Sequence, residues 1–354
     1  MSKGIRLAAG LAGLALLVSA CGEAPDESKE GTAEGPLACM VTDTGGIDDR
    51  SFNAAAWVGM QAGAKATSGK AEYVASTNEN DYIPNINELV NKGCDTIVTV
   101  GGLMGDATTE AAKAHPDQQF AIVDSPSVAG QKIYGMEFNT AQSSFQAGYL
   151  AASMSKSGKV ATYGGLAIPP VTIFMDGFYE GVQYFNEKKG KKVEVLGWDP
   201  AKPDSGSIAG AFGDLAKGKS IAKGFIEQGA DIIFPVAGGT GLGSAAAAKE
   251  SGGKVSVIWV DTDGCESAAD YCDVFLTSVM KNVNGAVEQA VTKAGSGELT
   301  GSYLGTLENG GTSLAPFHEF DSKVPADLKT ELDQIKTDIA SGTISIKSVS
   351  QPKG

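Results

Sequence analysis

Two aspartates stand where strongly apolar strands run out: Asp124 closes Phe120-Ala121-Ile122-Val123, and Asp261 closes Val257-Ile258-Trp259-Val260. A carboxylate in such a place must meet solvent, a helix amino terminus or a ligand. Helix capping is the plain alternative for either one alone. Its duplication in both halves of the chain favours a ligand that carries hydroxyl or N–H donors. A second group lies in VTDTGGIDDRSFN, Val41 to Asn53. Here Asp43, Asp48, Phe52 and Asn53 occupy a strand-to-helix turn of the kind that lines the crevice of open α/β sheets. One aromatic face beside several carboxylates suits a flat heterocycle bearing hydroxyls. Phe174, near the start of the corresponding helix in the second half, and Phe234, at the end of another strand, are candidates for a second stacking ring, with core packing as the alternative for both. Lys281, just after the strand Phe275 to Ser278, is the cation nearest the expected cleft.

These residues point to capture rather than catalysis. The sequence has two histidines, His115 before Pro116 and His318 near the tail, and neither completes a Ser-His-Asp arrangement. Gly238-Gly239-Thr240-Gly241-Leu242-Gly243 follows a strand and opens a helix, as a dinucleotide fingerprint does. Starting from Gly239, however, the last glycine position is filled by Ser244, the turn belongs to the third strand of its half, and no Walker lysine follows. No cofactor and no metal are expected: the cysteines lack C-x-x-C spacing and the histidines lie far from them.

The elements that position these groups alternate short apolar runs with amphipathic ones, the pattern of βαβ units. Strands are predicted at Leu37 to Val41, Ala71 to Ala75, Thr96 to Val100, Phe120 to Val123 and Ile133 to Met136. After a helix from Ala141 to Ser155 a second set follows: Val160 to Tyr163, Val193 to Leu196, Ile232 to Val236, Val255 to Val260 and Phe275 to Ser278. The sets repeat one another. Asn91-Lys92-Gly93-Cys94-Asp95-Thr96-Ile97 parallels Glu227-Gln228-Gly229-Ala230-Asp231-Ile232-Ile233, and each of these strands ends in a glycine pair. Two similar α/β lobes facing one cleft are expected. Beyond Phe275 the pattern predicts a helix from Val283 to Ala294, a hairpin and loop from Gly295 to Gly311, and a tail helix from Pro325 to Ala340 whose lobe is not determined.

At 354 residues the chain suits two domains. Residues 1–20 read as a lipoprotein signal peptide: Lys3 and Arg6 precede an apolar run from Leu7 to Val18, and Val18-Ser19-Ala20-Cys21 has the form of a lipobox. Cleavage there would leave Cys21 to carry lipid, although an ordinary secretory signal is the alternative. Residues 21–36, rich in Gly, Pro and Glu, read as a flexible tether. The remaining divisions are an N-terminal lobe at 37–140, a C-terminal lobe at 141–280, and a segment 281–354 that crosses the hinge and returns to the N-terminal lobe.

With Cys21 lipidated, Cys39, Cys94, Cys265 and Cys272 form an even set in a compartment that permits disulfides. Cys39 and Cys94 each stand at the entry of a predicted strand, and adjacent parallel strands would bring them within bonding distance, while Cys265 and Cys272 bracket a short polar excursion that a bridge could pin. The formal charge of −14 argues against nucleic acid as a partner and against electrostatic adhesion to anionic lipid.

Beyond these residue-level readings, the chain resembles the basic membrane protein family of lipoproteins, also called the purine nucleoside receptor A type, which are substrate-binding subunits of ABC importers. The lipobox, VTDTGGIDDRSFN, NKGCDTIVTVGG, FAIVDSP, IPPVTIFMDGFYEGV, PVAGGTGLG, VIWVDTD and TSVMKN carry the resemblance. It implies a bilobal type I periplasmic-binding fold, two Rossmann-like parallel-sheet lobes joined by a hinge, closing on a nucleoside. It further implies that Phe52 stacks on the base, that Asn53 and Asp124 read base edges, and that Asp261, Lys281 and the backbone near Gly238 hold the ribose. The second stacking aromatic stays open between Phe174 and Phe234. A lipid anchor at Cys21 on the outer face of a bacterial cell membrane and ABC permease subunits as partners belong to the same implication. A sugar-binding protein of the same fold and a surface sensor or adhesin are the other function classes.

Overall fold

The computed structural model describes residues 35–297 and 299–353. The expectations for the signal peptide, for Cys21 and for nearly all of the tether concern residues outside this range. Two six-stranded sheets organise the chain. The first half contributes β1 (Leu37–Thr42), α1 (Phe52–Ala66), β2 (Lys70–Ala75), α2 (Tyr82–Lys92), β3 (Thr96–Val100), α3 (Gly105–Ala114), β4 (Gln119–Val123) and β5 (Ile133–Phe138). The second begins with α4 (Ala141–Met154), β6 (Lys159–Gly164), α5 (Pro169–Lys189) and β7 (Glu194–Leu196). It continues through α6 (Leu215–Glu227), β8 (Ile232–Val236), α7 (Gly241–Glu250), β9 (Ser256–Asp261), α8 (Gly264–Ser267) and β10 (Phe275–Lys281). The remainder forms α9 (Val283–Gly295), β11 (Ser302–Gly305), β12 (Thr312–Leu314) and α10 (Ala326–Ala340).

The sheets run β2-β1-β3-β4-β5-β11 and β7-β6-β8-β9-β10-β12, so the doubly wound order occurs twice. All pairings are parallel except β12 against β10. Parallel sheets need both faces covered, and the central strands β1, β3, β4, β8 and β9 are accordingly buried over nearly their whole length. Each sheet accordingly has a buried cluster on either face. Met40, Val98 and Val100 pack with residues of α1 and α9, whereas Val41, Ile97 and Phe120 pack with α2 and α3. In the second lobe Phe234 and Ile258 face α4, α5 and α10, and Ala161, Ile233 and Trp259 face α6 and α7.

Three stretches carry the chain between sheets: Asn139–Thr140, Lys281–Asn282 and residues 306–311. They lie side by side. The Asn139 N–H donates to the Gly305 carbonyl at 2.8 Å and the Asn282 N–H to the Gly311 carbonyl at 2.9 Å. Gly305 and Gly311 pass so closely that a Cβ on Gly311 would sit 2.1 Å from the Gly305 Cα. This is the hinge.

The segment after residue 280 divides differently from the expectation. Helix α9 returns to the first lobe because Gly59 and Gly63 of α1 let it approach; a Cβ on Gly59 would lie 2.3 Å from the Asn284 carbonyl oxygen. Strand β11 joins β5 there, but β12 joins β10 of the second lobe. Residues 295–311 therefore form no hairpin, since the two strands on either side of 306–311 belong to different sheets. The tail also stays with the second lobe: the buried face of α10, Leu328, Leu332, Ile335 and Ile339, joins the cluster of α4 and α5, and Tyr149 of α4 donates to Glu331 at 2.7 Å.

Disulfides join Cys39 to Cys94 and Cys265 to Cys272, with Cα separations of 5.9 and 4.5 Å. Cys39 lies in β1 and Cys94 just before the neighbouring β3. Among the described residues, no helix is long and apolar enough to cross a membrane.

Candidate ligand-binding cleft

A cleft partly open to solvent lies between the carboxyl ends of the two sheets. Its wall from the first lobe is Asp43 after β1, Asp49, Phe52 and Asn53 at the start of α1, Gly101 to Leu103 after β3, and Asp124 after β4. Facing them are Pro170 and Phe174 of α5, Phe212 before α6, Gly238 after β8, Asp261 at the end of β9 and Lys281 at the end of β10. These wall residues thus stand at or just past a strand's carboxyl end or in the helix that follows, where a doubly wound sheet places its ligands.

The turn before α1 is built by aspartates. Asp49 Oδ1 accepts the N–H of Ser51 at 2.9 Å and of Ala54 at 3.1 Å, and its Oδ2 accepts that of Asn53 at 2.8 Å. These are the N–H groups that a helix start leaves open. Asp43 accepts from the Gly45 N–H at 2.8 Å and from Asn53 Nδ2 at 2.7 Å. The Asn53 amide is thereby oriented, with its buried Oδ1 left without a hydrogen-bond partner. A buried acceptor without a partner is costly unless a ligand donor reaches it.

Asp124 and Asp261 share an unusual backbone. Their φ values are 65° and 68°, in the left-handed region that a residue with a Cβ adopts only when its surroundings hold it there. Both are tied to the opposite lobe's side of the cleft. Lys281 Nζ lies 2.6 Å from Asp124 Oδ2, and the Ser51 hydroxyl lies 2.8 Å from Asp261 Oδ2. Lys281 also sits over aromatic faces, 4.8 Å from the centre of Phe52 and 5.5 Å from that of Phe174.

Burial dominates the electrostatics. It raises Asp124 to about 6 although Lys281 acts in the opposite direction, and it raises Asp49 to about 7 against the N–H groups of Asn53, Ser51 and Ala54. Burial likewise raises Asp43 against its bonds from Asn53 and Gly45, and Asp261 against Lys281 and Ser51. Four carboxylates thus share a poorly hydrated cleft in which Lys281 is the cation among the described lining residues. Such a site rewards N–H and O–H donors and repels anions.

Asp43, Phe52, Asn53, Asp124, Gly238, Asp261 and Lys281 are brought together, and two sequence expectations are corrected. Asp48 is exposed and does not line the cleft; its neighbour Asp49 turns inward because the first turn of α1 needs an acceptor. Phe234 is fully buried in β8, its ring centre 5.3 Å from that of Phe178, so it belongs to the core. Phe174 does line the cleft, but with 1% of its surface exposed it forms part of the floor beneath Lys281.

The aromatic that sequence reasoning missed is Phe212. It sits in Ala209-Gly210-Ala211-Phe212-Gly213-Asp214, between β7 and α6. Thr240 pins this loop: its N–H donates to the Phe212 carbonyl at 2.9 Å, and its hydroxyl donates to the Ala211 carbonyl at 3.1 Å and accepts the Asp214 N–H at 2.9 Å. The ring lies against Gly165, where a Cβ would come within 2.4 Å of it. A phenylalanine set among small or polar neighbours and outside any apolar periodicity was the available signal, as it is for Phe52 between Ser51 and Asn53.

The family described as ABC transporter substrate-binding protein PnrA-like (Bmp) matches residues 37–347, which span all of these wall residues. The chain belongs to this family. Among its relatives is the CD4+ T-cell-stimulating antigen of Listeria monocytogenes, 33% identical over 351 residues and covering 94% of each chain. The ABC transporter nucleoside-binding protein BmpA of Lactococcus lactis is 32% identical over 329 residues, covering 88% of this chain and 89% of its own length. Among solved structures, an ABC transporter solute-binding protein of Aeropyrum pernix superimposes with a TM-score of 0.79 at 22% identity, covering 90% of this chain and 94% of that one. The fold is that of type I periplasmic binding proteins, and the family's role is to bind the substrate of an ABC transporter.

Proposed function

We propose that this substrate-binding protein takes a nucleoside, with a purine base, and delivers it to an ABC permease from a lipid anchor at Cys21 on the outer face of a bacterial cell membrane. The observation that carries the reading is that Phe52 of one lobe and Phe212 of the other line one cleft with four buried carboxylates and the unpartnered Asn53 Oδ1. Two rings suit a planar base between them, each stack contributing about 1–3 kcal/mol. Asn53 Oδ1 and Asp124 accept from base N–H groups, and Asp43 holds Asn53 in orientation. Asp261, Lys281 and the backbone at Gly238 take the ribose hydroxyls. The acidic lining disfavours a phosphate, hence a nucleoside rather than a nucleotide. The similarity to the nucleoside-binding protein BmpA of Lactococcus lactis supports the same class.

The mechanism is capture without chemistry. Ligand bridges the lobes, favours the closed arrangement by contacts available only there, and the closed form docks on the permease. A thermal-shift screen of nucleosides, free bases and sugars, followed by calorimetry, tests it. Purine nucleosides should raise the melting temperature and be recovered intact without free base; a response confined to sugars, or none at all, would sink the nucleoside assignment. Palmitate labelling of the wild type but not of Cys21→Ser checks the anchor.

A further inference from the structure

A serine in front of a helix ordinarily turns its hydroxyl back to accept an N–H of the first turn. Ser51, which precedes α1, makes no such bond. Asp49 already takes the open N–H groups there, and the fully buried Ser51 hydroxyl is turned to the other lobe. It lies 2.8 Å from Asp261 Oδ2 and 3.1 Å from the Val260 carbonyl oxygen. One residue earlier, the Arg50 carbonyl accepts from the Thr262 hydroxyl at 3.1 Å. Residues 50–51 of the first lobe are thus joined to residues 260–262 of the second by two hydroxyls, that of Ser51, which makes no bond to its own helix, and that of Thr262, which also lies 2.9 Å from the Ser267 hydroxyl of its own lobe.

The backbone marks the same spot. Arg50 has φ 53° and Asp261 φ 68°. Left-handed conformations of non-glycine residues persist where neighbouring contacts hold them, and they concentrate at clamps and switches. Here one stands on each side of the contact.

We propose that Ser51 is a latch: a positioning residue that holds the two lobes closed through Asp261 and the Val260 carbonyl, with the Thr262–Arg50 bond as an outer fastening. The latch acts between lobes and needs no contact with ligand. Its consequence for ligand rests on the nucleoside reading above. A bound nucleoside leaves when the lobes part, so residence time follows the stability of closure, while apparent affinity follows the fraction of molecules in the competent state. Ser51 also engages one oxygen of Asp261, leaving the other for a ligand hydroxyl. One net buried hydrogen bond corresponds to roughly fivefold to tenfold in such an equilibrium. The helix start survives loss of the hydroxyl because Asp49 supplies the cap.

The test uses Ser51→Ala and, on the half-buried rim, Thr262→Val, a near-isosteric change. Small-angle scattering of the ligand-free proteins reads closure directly, and stopped-flow dissociation of adenosine reads residence. Ser51→Ala should enlarge the radius of gyration and speed adenosine release about fivefold to tenfold with little change in association, Thr262→Val should do the same more weakly, and both should melt cooperatively. Scattering from both variants that superimposes on the wild type would overturn the latch. A wild type that takes up neither adenosine, guanosine nor inosine would overturn the nucleoside reading instead, while scattering would still decide the latch.

Discussion

In the first lobe the strand-end carboxylate Asp124 is held by Lys281, from the end of β10 in the second; in the second lobe its counterpart Asp261 is held by Ser51, from the first. The positions match in strand, in backbone conformation and in facing the cleft, yet one partner is a cation and the other a neutral hydroxyl. A repeated scaffold thus places a carboxylate twice, and the loops around it decide what each one does. Paired with lysine, Asp124 is an acceptor whose charge is offset inside the cleft. Asp261, paired with serine, is joined to a contact between the lobes. The disulfides differ in the same manner. The bridge of the first lobe ties β1 to the turn before β3 across 55 residues of sequence, whereas that of the second closes a loop of seven.

The widest expected difference between the lobes lies in those bridges. By loop-closure entropy the Cys39–Cys94 bridge contributes about 4 kcal/mol and Cys265–Cys272 about 2 kcal/mol. Replacing each pair by alanine and unfolding in urea should give that order; equal losses would mean that strain or residual structure, not loop length, sets the difference.

The two carboxylates should part next. Lys281→Ala leaves Asp124 buried without its cation, a loss of about 3 kcal/mol in urea unfolding at pH 8. The loss should shrink at pH 5, where Asp124 takes up a proton. The sign follows from burial: Asp124 at about 6 and Asp49 at about 7 both stand above the ordinary 3.8, so the native state binds more protons than the unfolded chain between about pH 4 and 7. Stability of the ligand-free protein should therefore fall as pH rises through that window, and Asp124→Asn should flatten part of the slope. A loss independent of pH would show that Lys281 acts through packing on Phe52 and Phe174 rather than through charge.

The smallest effect compares rings within the second lobe. Phe212→Ala should weaken binding of the proposed nucleoside ligand by about 1–3 kcal/mol in calorimetry while leaving the melting temperature nearly unchanged. Phe234→Ala should do the reverse, lowering stability without changing the affinity of molecules that stay folded. Equal effects on both readouts would dissolve the distinction between cleft and core aromatics.

Much of this was legible in the residues. The period of apolar runs, the repeated strand-to-glycine segments and the matching aspartates are local patterns, and a parallel sheet buried on both faces imposes them on sequence directly. Adjacent parallel strands likewise made the pairing of Cys39 with Cys94 readable. Three features were decided by the tertiary structure. Phe174, Phe212 and Phe234 are alike in type, and whether a ring meets core or cleft depends on the face its element presents to neighbours remote in sequence. Asp48 and Asp49 differ by one position, and the demand of the α1 amino terminus for acceptors turned the second one inward. The strands flanking residues 306–311 went to different sheets because each lobe had an open edge for one of them, and a strand of three or four residues carries too little pattern to name its partner. Local periodicity writes secondary structure and strand ends into a sequence, whereas the choice among equivalent side chains and edges is made by contacts that exist only once the lobes are assembled.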